Sequence, residues 1–408
     1  MGDIFNAEEI GIPREFTLTT GTNGHSRKLK FLITGGCGYF GFRLARTLHH
    51  LGAFVTILDI QLPKTIEKYL DNRLKFMQGD VRDYSAVLKA CQDIDCVYHV
   101  ASFGLSGKDQ LDKGLNEAVN VGGTQNIIKA CQECGITRLI YTSSYNVVMQ
   151  GKEICNGTED LPYGDPEKMV DYYSSTKLRA DKLVVKANGS LVAGGSQLST
   201  CCLRPAGIFG PGERRHIDRA AAIVEMNLVF VKIGDAIVDW VHVNNLVQIH
   251  LLALPALSSA NNSIAAGKCY FVSDNNPVRF FDFLSPLFVG LGHSPPRYKC
   301  PYIFVYYAAF LMELVYHLMK PWRVVAPLAT RTEVMKMGLS HFHTMDKAIK
   351  ELGYRPKIYD FADVAKLYLK ERPTASVDPI RDTRGNYWAK ITLIGLALFC
   401  CLLQLLLL

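Results

Sequence analysis

A chain of 408 residues with 49% apolar side chains is long enough for one large α/β unit, or two domains, around a substantial core, and it reads as globular. Its net charge of +7 is spread without any lysine/arginine run interleaved with aromatics, so no nucleic-acid partner is expected. The 12 cysteines are scattered, and Cys91, Cys96, Cys201 and Cys202 lie in apolar surroundings that suit reduced thiols. The C-x-x-C of Cys131 and Cys134 has no second pair or histidine cluster nearby, so packed thiols are expected and no metal site.

In chain order, residues 1–28 mix Thr, Gly, Asn and charge without periodicity and read as a flexible lead-in that lacks the apolar region of a signal peptide. The apolar run Phe31-Leu32-Ile33 then enters a turn with Gly35, Gly38 and Gly41 and opens onto a helical pattern from Phe42 to Leu48. This predicts strand, tight turn and helix. Glycines suit the turn because the backbone must approach a pyrophosphate closely and the helix must pack on the strand. The anion would sit on the helix N-terminus, where free N–H groups and the helix dipole favour negative charge. A second run, Phe54 to Leu58, ends in Asp59, whose carboxylate can accept hydrogen bonds from ribose hydroxyls. The same charge would repel a 2′-phosphate, which predicts NAD rather than NADP.

Further apolar runs at Leu74 to Gln78, Cys96 to His99, Leu139 to Thr142 and Thr200 to Leu203 alternate with helical segments. Alternation of this kind predicts an α/β fold over residues 29–204: a Rossmann-type doubly wound parallel sheet with helices on both faces. From 205 to 373 the pattern turns irregular, and this part is expected to form a smaller substrate-binding lobe, mixed with the Rossmann core, over the strand C-termini.

Residues 374–390 are polar, contain Pro379 and Gly385, and read as a linker. The last 18 residues, 391–408, carry no charge and only Thr392 and Gln404 as polar side chains. As a helix they would span roughly 27 Å against a hydrocarbon core of roughly 30 Å, so a C-terminal transmembrane helix is expected. An anchor at the chain end inserts after synthesis, which leaves the body in the cytosol, in line with Arg381, Arg384 and Lys390 before the span. The endoplasmic reticulum is the expected membrane. A second apolar stretch, Tyr302 to Met319, carries Glu313 and His317 and follows Pro301. Two readings of it stay open: a buried helix of the small lobe, or an amphipathic helix lying on the membrane beside the substrate entrance.

Tyr173 and Lys177 stand four apart on a predicted helix, which puts phenol and ammonium on one face. A free tyrosine has a pKa of about 10, and a lysine cation close by, with a positive nicotinamide, favours the phenolate. Together with Gly35-Gly36-Cys37-Gly38-Tyr39-Phe40-Gly41, Tyr141-Thr142-Ser143-Ser144 and Leu203-Arg204-Pro205-Ala206-Gly207-Ile208-Phe209-Gly210-Pro211-Gly212, these residues resemble the extended short-chain dehydrogenase/reductases. Within them the chain most resembles family 42E, a relative of the 3β-hydroxysteroid dehydrogenase and sterol-4-carboxylate 3-dehydrogenase groups. The likeness runs from about Lys30 to Lys370 and includes the apolar tail.

The resemblance implies that NAD is held by Gly35, Gly38, Tyr39, Phe40 and Gly41, by Asp59, by Asp80 and Val81 near the adenine, by Ala101 at a strand end, by Pro205, and by Tyr173 and Lys177. It implies Ser144 as the catalytic hydroxyl with Ser143 as the near alternative, Tyr173 as proton carrier, Lys177 as holder of the nicotinamide ribose, and Asn120 as the group that positions the lysine. Asn244 stands where an aspartate is usual, in a motif from Asp239 to Leu246 that joins the lobes. The implied activity is hydride transfer between NAD and a hydrophobic secondary alcohol or ketone, with 3β-hydroxysteroids as the expected class, with or without a Δ5 to Δ4 isomerisation. An alternative is a decarboxylating sterol-4-carboxylate 3-dehydrogenase, for which Arg214 or Arg215 would meet the carboxylate. Another, of a different class, is a non-catalytic NAD-binding regulator on a membrane. Expected partners are a steroid or sterol, the membrane through the C-terminal helix, and a second copy in a homodimer if the chain assembles.

Overall fold

Strands covered on both faces need unbroken apolar runs rather than alternation, and the runs in this chain are of that kind. In the computed structural model, which describes residues 10–12, 18–20, 27–169, 171–225, 231–322 and 327–372, they form one seven-stranded sheet. Most of the expected lead-in, the linker and the C-terminal membrane helix lie outside the described residues. The strands are β1 (Lys30–Thr34), β2 (Phe54–Asp59), β3 (Leu74–Gln78), β4 (Cys96–His99), β5 (Arg138–Thr142), β6 (Ser199–Pro205) and β7 (Lys268–Val272). All neighbours are parallel, in the order β7-β6-β5-β4-β1-β2-β3. The direction of winding reverses between β1 and β4, where such sheets open a crevice at their C-terminal edge.

The helices used below are α1 (Tyr39–His50), α2 (Tyr84–Ala90), α3 (Gly123–Glu133), α4 (Tyr172–Ala187), α5 (Arg215–Glu225), α6 (Val243–Ala256), α7 (Phe280–Gly290), α8 (Tyr302–Met319), α9 (Arg331–Gly338) and α10 (Phe361–Glu371). Alternate residues of β1 point to opposite faces. Phe31 and Ile33 join Leu44 and Leu48 of α1 and Leu246 and Ile249 of α6 in one core, while Leu32 joins Val87, Ile127 and Val184 in the other. Both β7 and α6 come from the segment after residue 205, so that segment completes the sheet as well as building the lobe. The lobe has its own clusters: Phe209, Ile217, Leu287 and Phe361 tie α5, α7 and α10, and Ala309 and Val334 join α8 to α9. The apolar stretch from Tyr302 is a helix, and most of its side chains are not buried, which removes the reading of a buried lobe helix.

Lobe and core meet at a polar joint. The His242 N–H and Asn245 Nδ2 both donate to Oδ1 of Asp274, at 2.8 and 2.7 Å, and Arg43 of α1 donates to Oδ1 of Asn244 at 2.9 Å. The asparagine at 244 therefore acts as a latch between the glycine-turn helix and the lobe. Burial, with Asp239 adding to it, pushes the Asp274 carboxyl up to about 7 against the pull of its two donors. A carboxyl raised on folding from about 3.9 favours the fold fully below that value, and the contribution is lost as pH rises through 7. Asp274→Asn keeps an Oδ1 for both donors, so it should raise the melting temperature more at pH 8 than at pH 5. Equal changes at the two pH values would remove Asp274 as the source.

Candidate active site

The glycine turn fits the backbone so closely that side chains have no room. Gly35 has φ +66, and a Cβ there would lie 2.8 Å from the Cα of Ala101; a Cβ on Gly41 would lie 2.3 Å from the Gly35 carbonyl oxygen. Gly38 caps α1, and no side chain bonds the N–H groups of the first turn. That end of the helix is exposed at Gly38, with N–H groups of the polarity that a pyrophosphate needs. At the end of β2, Asp59 accepts from the Cys37 N–H at 2.9 Å and the Ile60 N–H at 2.8 Å, which aims its carboxylate along the turn. These residues fit NAD. The Tyr39 hydroxyl is buried without a partner. The Phe40 ring lies 4.6 Å from His250 inside the core, so it is the backbone of this residue that faces the turn. Asp80 binds its own turn, taking the N–H and Nε of Arg82 at 2.9 Å, and Val81 packs on Gly123. Pro205 is buried at the end of β6.

Behind the turn, Thr34 Oγ1 accepts from the N–H groups of Val100 and Ala101, both at 3.2 Å, so its proton goes to His99 Nδ1 at 2.7 Å. His99 Nε2 then donates to Thr124 at 3.0 Å, and Thr124 to the Asn120 carbonyl at 2.6 Å. Burial, helped by the Lys177 charge, holds His99 down at about 3, so this chain of bonds works with a neutral ring.

Asp171 starts α4: its Oδ1 accepts from the Ser174 N–H at 2.6 Å, and its Oδ2 from Thr332 of α9 at 2.9 Å. Tyr173 and Lys177 face inward one turn apart, 4% and 1% exposed. Lys177 Nζ donates to the Thr142 carbonyl at 2.7 Å, 4.2 Å above the Tyr141 ring. Burial pushes Lys177 down to about 7, with Asp181 opposing. Burial holds the Tyr173 phenol above its ordinary value, and the charge that draws it back is Arg215. The ammonium is turned to Thr142 and Tyr141, and loss of water outweighs the cations nearby.

Asn120 lies in Glu117–Gly122, a π-helical segment of the kind often found at functional sites. Its Oδ1 accepts from the Phe103 N–H at 2.8 Å, and its Nδ2 donates to the Phe103 carbonyl and to Thr176 Oγ1, both at 2.9 Å. Its amide thus meets Thr176, the neighbour of Lys177 in the chain, and the loop after β4. The two serines separate. Ser143 donates to the buried Asp181 at 2.5 Å, whereas Ser144 Oγ accepts the Asn146 N–H at 3.2 Å and keeps its proton for another acceptor.

Comparison with known proteins shows the family to which the chain belongs. Residues 32–301 match the family model described as the 3-beta hydroxysteroid dehydrogenase/isomerase family. The chain belongs to that family. The expectations of an extended short-chain dehydrogenase/reductase fold, an oxidoreductase and NAD as its cofactor hold at the family level. Short-chain dehydrogenase/reductase family 42E member 1 of zebrafish is 46% identical over 341 residues, 83% of this chain and 87% of the relative. Mouse sterol-4-alpha-carboxylate 3-dehydrogenase, decarboxylating, is 33% identical over 340 residues, 83% of this chain and 89% of the relative. The structure of DesIV, a dTDP-glucose 4,6-dehydratase of Streptomyces venezuelae with NAD and TYD bound, superposes with a TM-score of 0.64 at 19% identity, covering 84% of this chain and 98% of that one. That likeness concerns the fold alone.

For this member of the 3-beta hydroxysteroid dehydrogenase/isomerase family, the sequence reading missed Asp181. Its carboxylate is fully buried and accepts from Ser143, from Tyr163 at 2.6 Å, and from Arg204 at 2.9 and 3.1 Å. The available signal was its place one turn beyond Lys177. Ser143→Ala removes one donor from this buried charge and should cost about 1–3 kcal/mol of stability. Ser144→Ala should leave thermal stability nearly unchanged. Denaturation curves of the two variants that coincide would deny the distinction.

Proposed function

We propose that the chain is a membrane-anchored, NAD-dependent dehydrogenase that transfers hydride between NAD and a lipophilic secondary alcohol or ketone, with 3β-hydroxysteroids as its substrate class. The observation that carries this reading is the placement of Ser144, Tyr173 and Lys177 at the C-terminal edge of the sheet, beside the open glycine cradle. Gly35, Gly38, Gly41 and Asp59 would hold the pyrophosphate and ribose, and Lys177 the nicotinamide ribose. Bound NAD supplies the hydride acceptor. Ser144 Oγ orients the substrate oxygen by a hydrogen bond, and Tyr173 Oη takes the hydroxyl proton in oxidation and returns it in reduction. Ser143 is held by Asp181 and so leaves this task to Ser144. The charge-free residues 391–408 support an anchor with the body in the cytosol, on the endoplasmic reticulum.

Tyr173→Phe should bind NAD normally and lose about 10²–10⁴-fold in turnover, followed as NADH absorbance with a panel of hydrophobic alcohols. Undiminished turnover would refute the assignment, and NAD binding without turnover on any substrate would favour a regulator. Since burial holds the phenol above its ordinary value, it is protonated at neutral pH. Oxidation, which needs the phenolate, should therefore rise with pH through the alkaline range.

A second reading, oxidation of a sterol 4-carboxylate with loss of the carboxyl group, is favoured by Arg215, which lies near enough to Tyr173 to lower its phenol. Arg215→Gln should move the alkaline rise to higher pH with any substrate. It should also raise KM for a 4-carboxysterol about 10-fold or more, as expected for a lost charge-assisted bond, and spare a neutral 3β-hydroxysteroid. Equal effects on the two substrates would count against the carboxylate.

A further inference from the structure

α5 and α9 are joined where Arg219 donates to Glu333 at 3.0 Å. Arg215 stands one turn before Arg219 on α5, and Lys336 nearly one turn beyond Glu333 on α9. Lys336 also shares a helix face with Thr332, four residues earlier, which bonds Asp171 at the start of the Tyr173 helix at 2.9 Å. The Lys336 ammonium is the charge felt most strongly by the His216 ring, and it is felt as well by His341, whose ring stacks on Tyr145 next to Ser144. Lys336 therefore sits, half-buried, between the first turn of α5 and the Tyr145–His341 stack. Among the described residues, Lys336 Nζ, the Arg215 guanidinium and the His216 ring make no hydrogen bond or ion pair. The acids around them are engaged elsewhere: Asp171 with Ser174 and Thr332, Glu333 with Arg219 and Thr330, and Glu213 with the His216 and Ile217 N–H groups.

We infer that Lys336, with His216 and Arg215 beside it, selects the substrate by binding an anionic substituent, a carboxylate or a sulfate, at the end remote from the reacting hydroxyl. The inference rests on the reading of this site as a dehydrogenase of lipophilic secondary alcohols and extends that reading to the far end of the substrate. An ammonium that loses water without gaining a counter-ion is drawn toward its neutral form. Lys336 is in that position: burial lowers it below its ordinary value although Asp171 and Glu333 oppose the change. A solvated surface lysine would show no such loss, and an incoming anion supplies what is missing. His216 fits the same task. Burial, with Lys336, Arg215 and Arg219 adding to it, holds its ring down at about 3, so it is neutral and has one N–H to donate. The place differs from that of a carboxylate next to the reacting carbon. The Tyr173 phenol responds to Arg215, whereas Lys336 acts on His216 and His341. Arg215 thus borders the reacting end, and Lys336 lies beyond it.

The test measures binding rather than turnover. The full chain, loaded with NAD in an uncharged detergent, is titrated calorimetrically with a 3β-hydroxysteroid that bears a carboxylate at the far end of the ring system, and with its neutral carboxamide. The acid should bind at least about 10-fold more tightly than the amide, as expected for a charge-assisted bond. Lys336→Gln should abolish most of this ratio, and Lys336→Arg should keep most of it. Added salt should shrink the ratio in the unsubstituted protein, a measurement that needs no variant and so holds even if a substitution disturbs folding. Equal binding of acid and amide, or a ratio unchanged in Lys336→Gln, would overturn the inference and leave the dehydrogenase reading intact. Binding of neither probe would count against the steroid class itself, and the inference would fall with it.

Discussion

A charge with no access to water can stay in a protein only if every lone pair is met, and Asp181 is such a charge. Burial pushes its carboxyl up, yet Arg204 beside it and the bonds from Arg204, Ser143 and Tyr163 bring it below the ordinary value. These partners come from β6, from the end of β5 and from the loop before α4, while Asp181 itself sits on α4. One carboxylate thus fixes the helix that carries Tyr173 and Lys177 against the strand ends that carry Ser143 and Ser144. Arg204 is almost as deeply buried, at 3% exposure of its side chain, so removing either partner would strand the other. The geometry of the site depends on this pair more than on any residue that would touch a substrate.

The parts of this arrangement legible in the sequence are those set by near neighbours. Phe31 to Ile33, the glycines after them and Asp59 at the next strand end each follow from local pattern, and Tyr173 and Lys177 share a face because helices repeat every four residues or so. Ser143 and Ser144 were indistinguishable, because adjacent residues at a strand end point to opposite sides and only the position of Asp181 shows which side is interior. The π-helical turn that holds Asn120, and with it the bond to Thr176, is likewise not marked by local pattern. Thr332 left no local mark that separates it from an ordinary helix residue, and Asp181 only its place one turn beyond Lys177; their roles arise from packing between segments far apart in the chain.

Such packing also builds the wall of the crevice opposite the sheet. Thr332 bonds Asp171, Arg219 of α5 bonds Glu333 at 3.0 Å, Thr330 bonds Gln110 at 2.7 Å, and the His341 ring stacks on Tyr145. Each contact joins the segment around α9 to an element beside the site. α9 is thereby tied to the helix that carries Tyr173, and through Ala309 and Val334 so is α8.

Inside the crevice, the same loss of water drives two groups in opposite directions. It raises the neutral phenol of Tyr173 and lowers the ammonium of Lys177 to about 7, so both are drawn toward their uncharged forms. Asp181 restrains this for the lysine and Arg215 for the tyrosine. A cation entering the crevice would lower the phenol further, and an anion would raise the lysine. The proton inventory of the pair therefore answers to what is bound, and the long-range partners Asp181 and Arg215 set the starting point from which that response is measured.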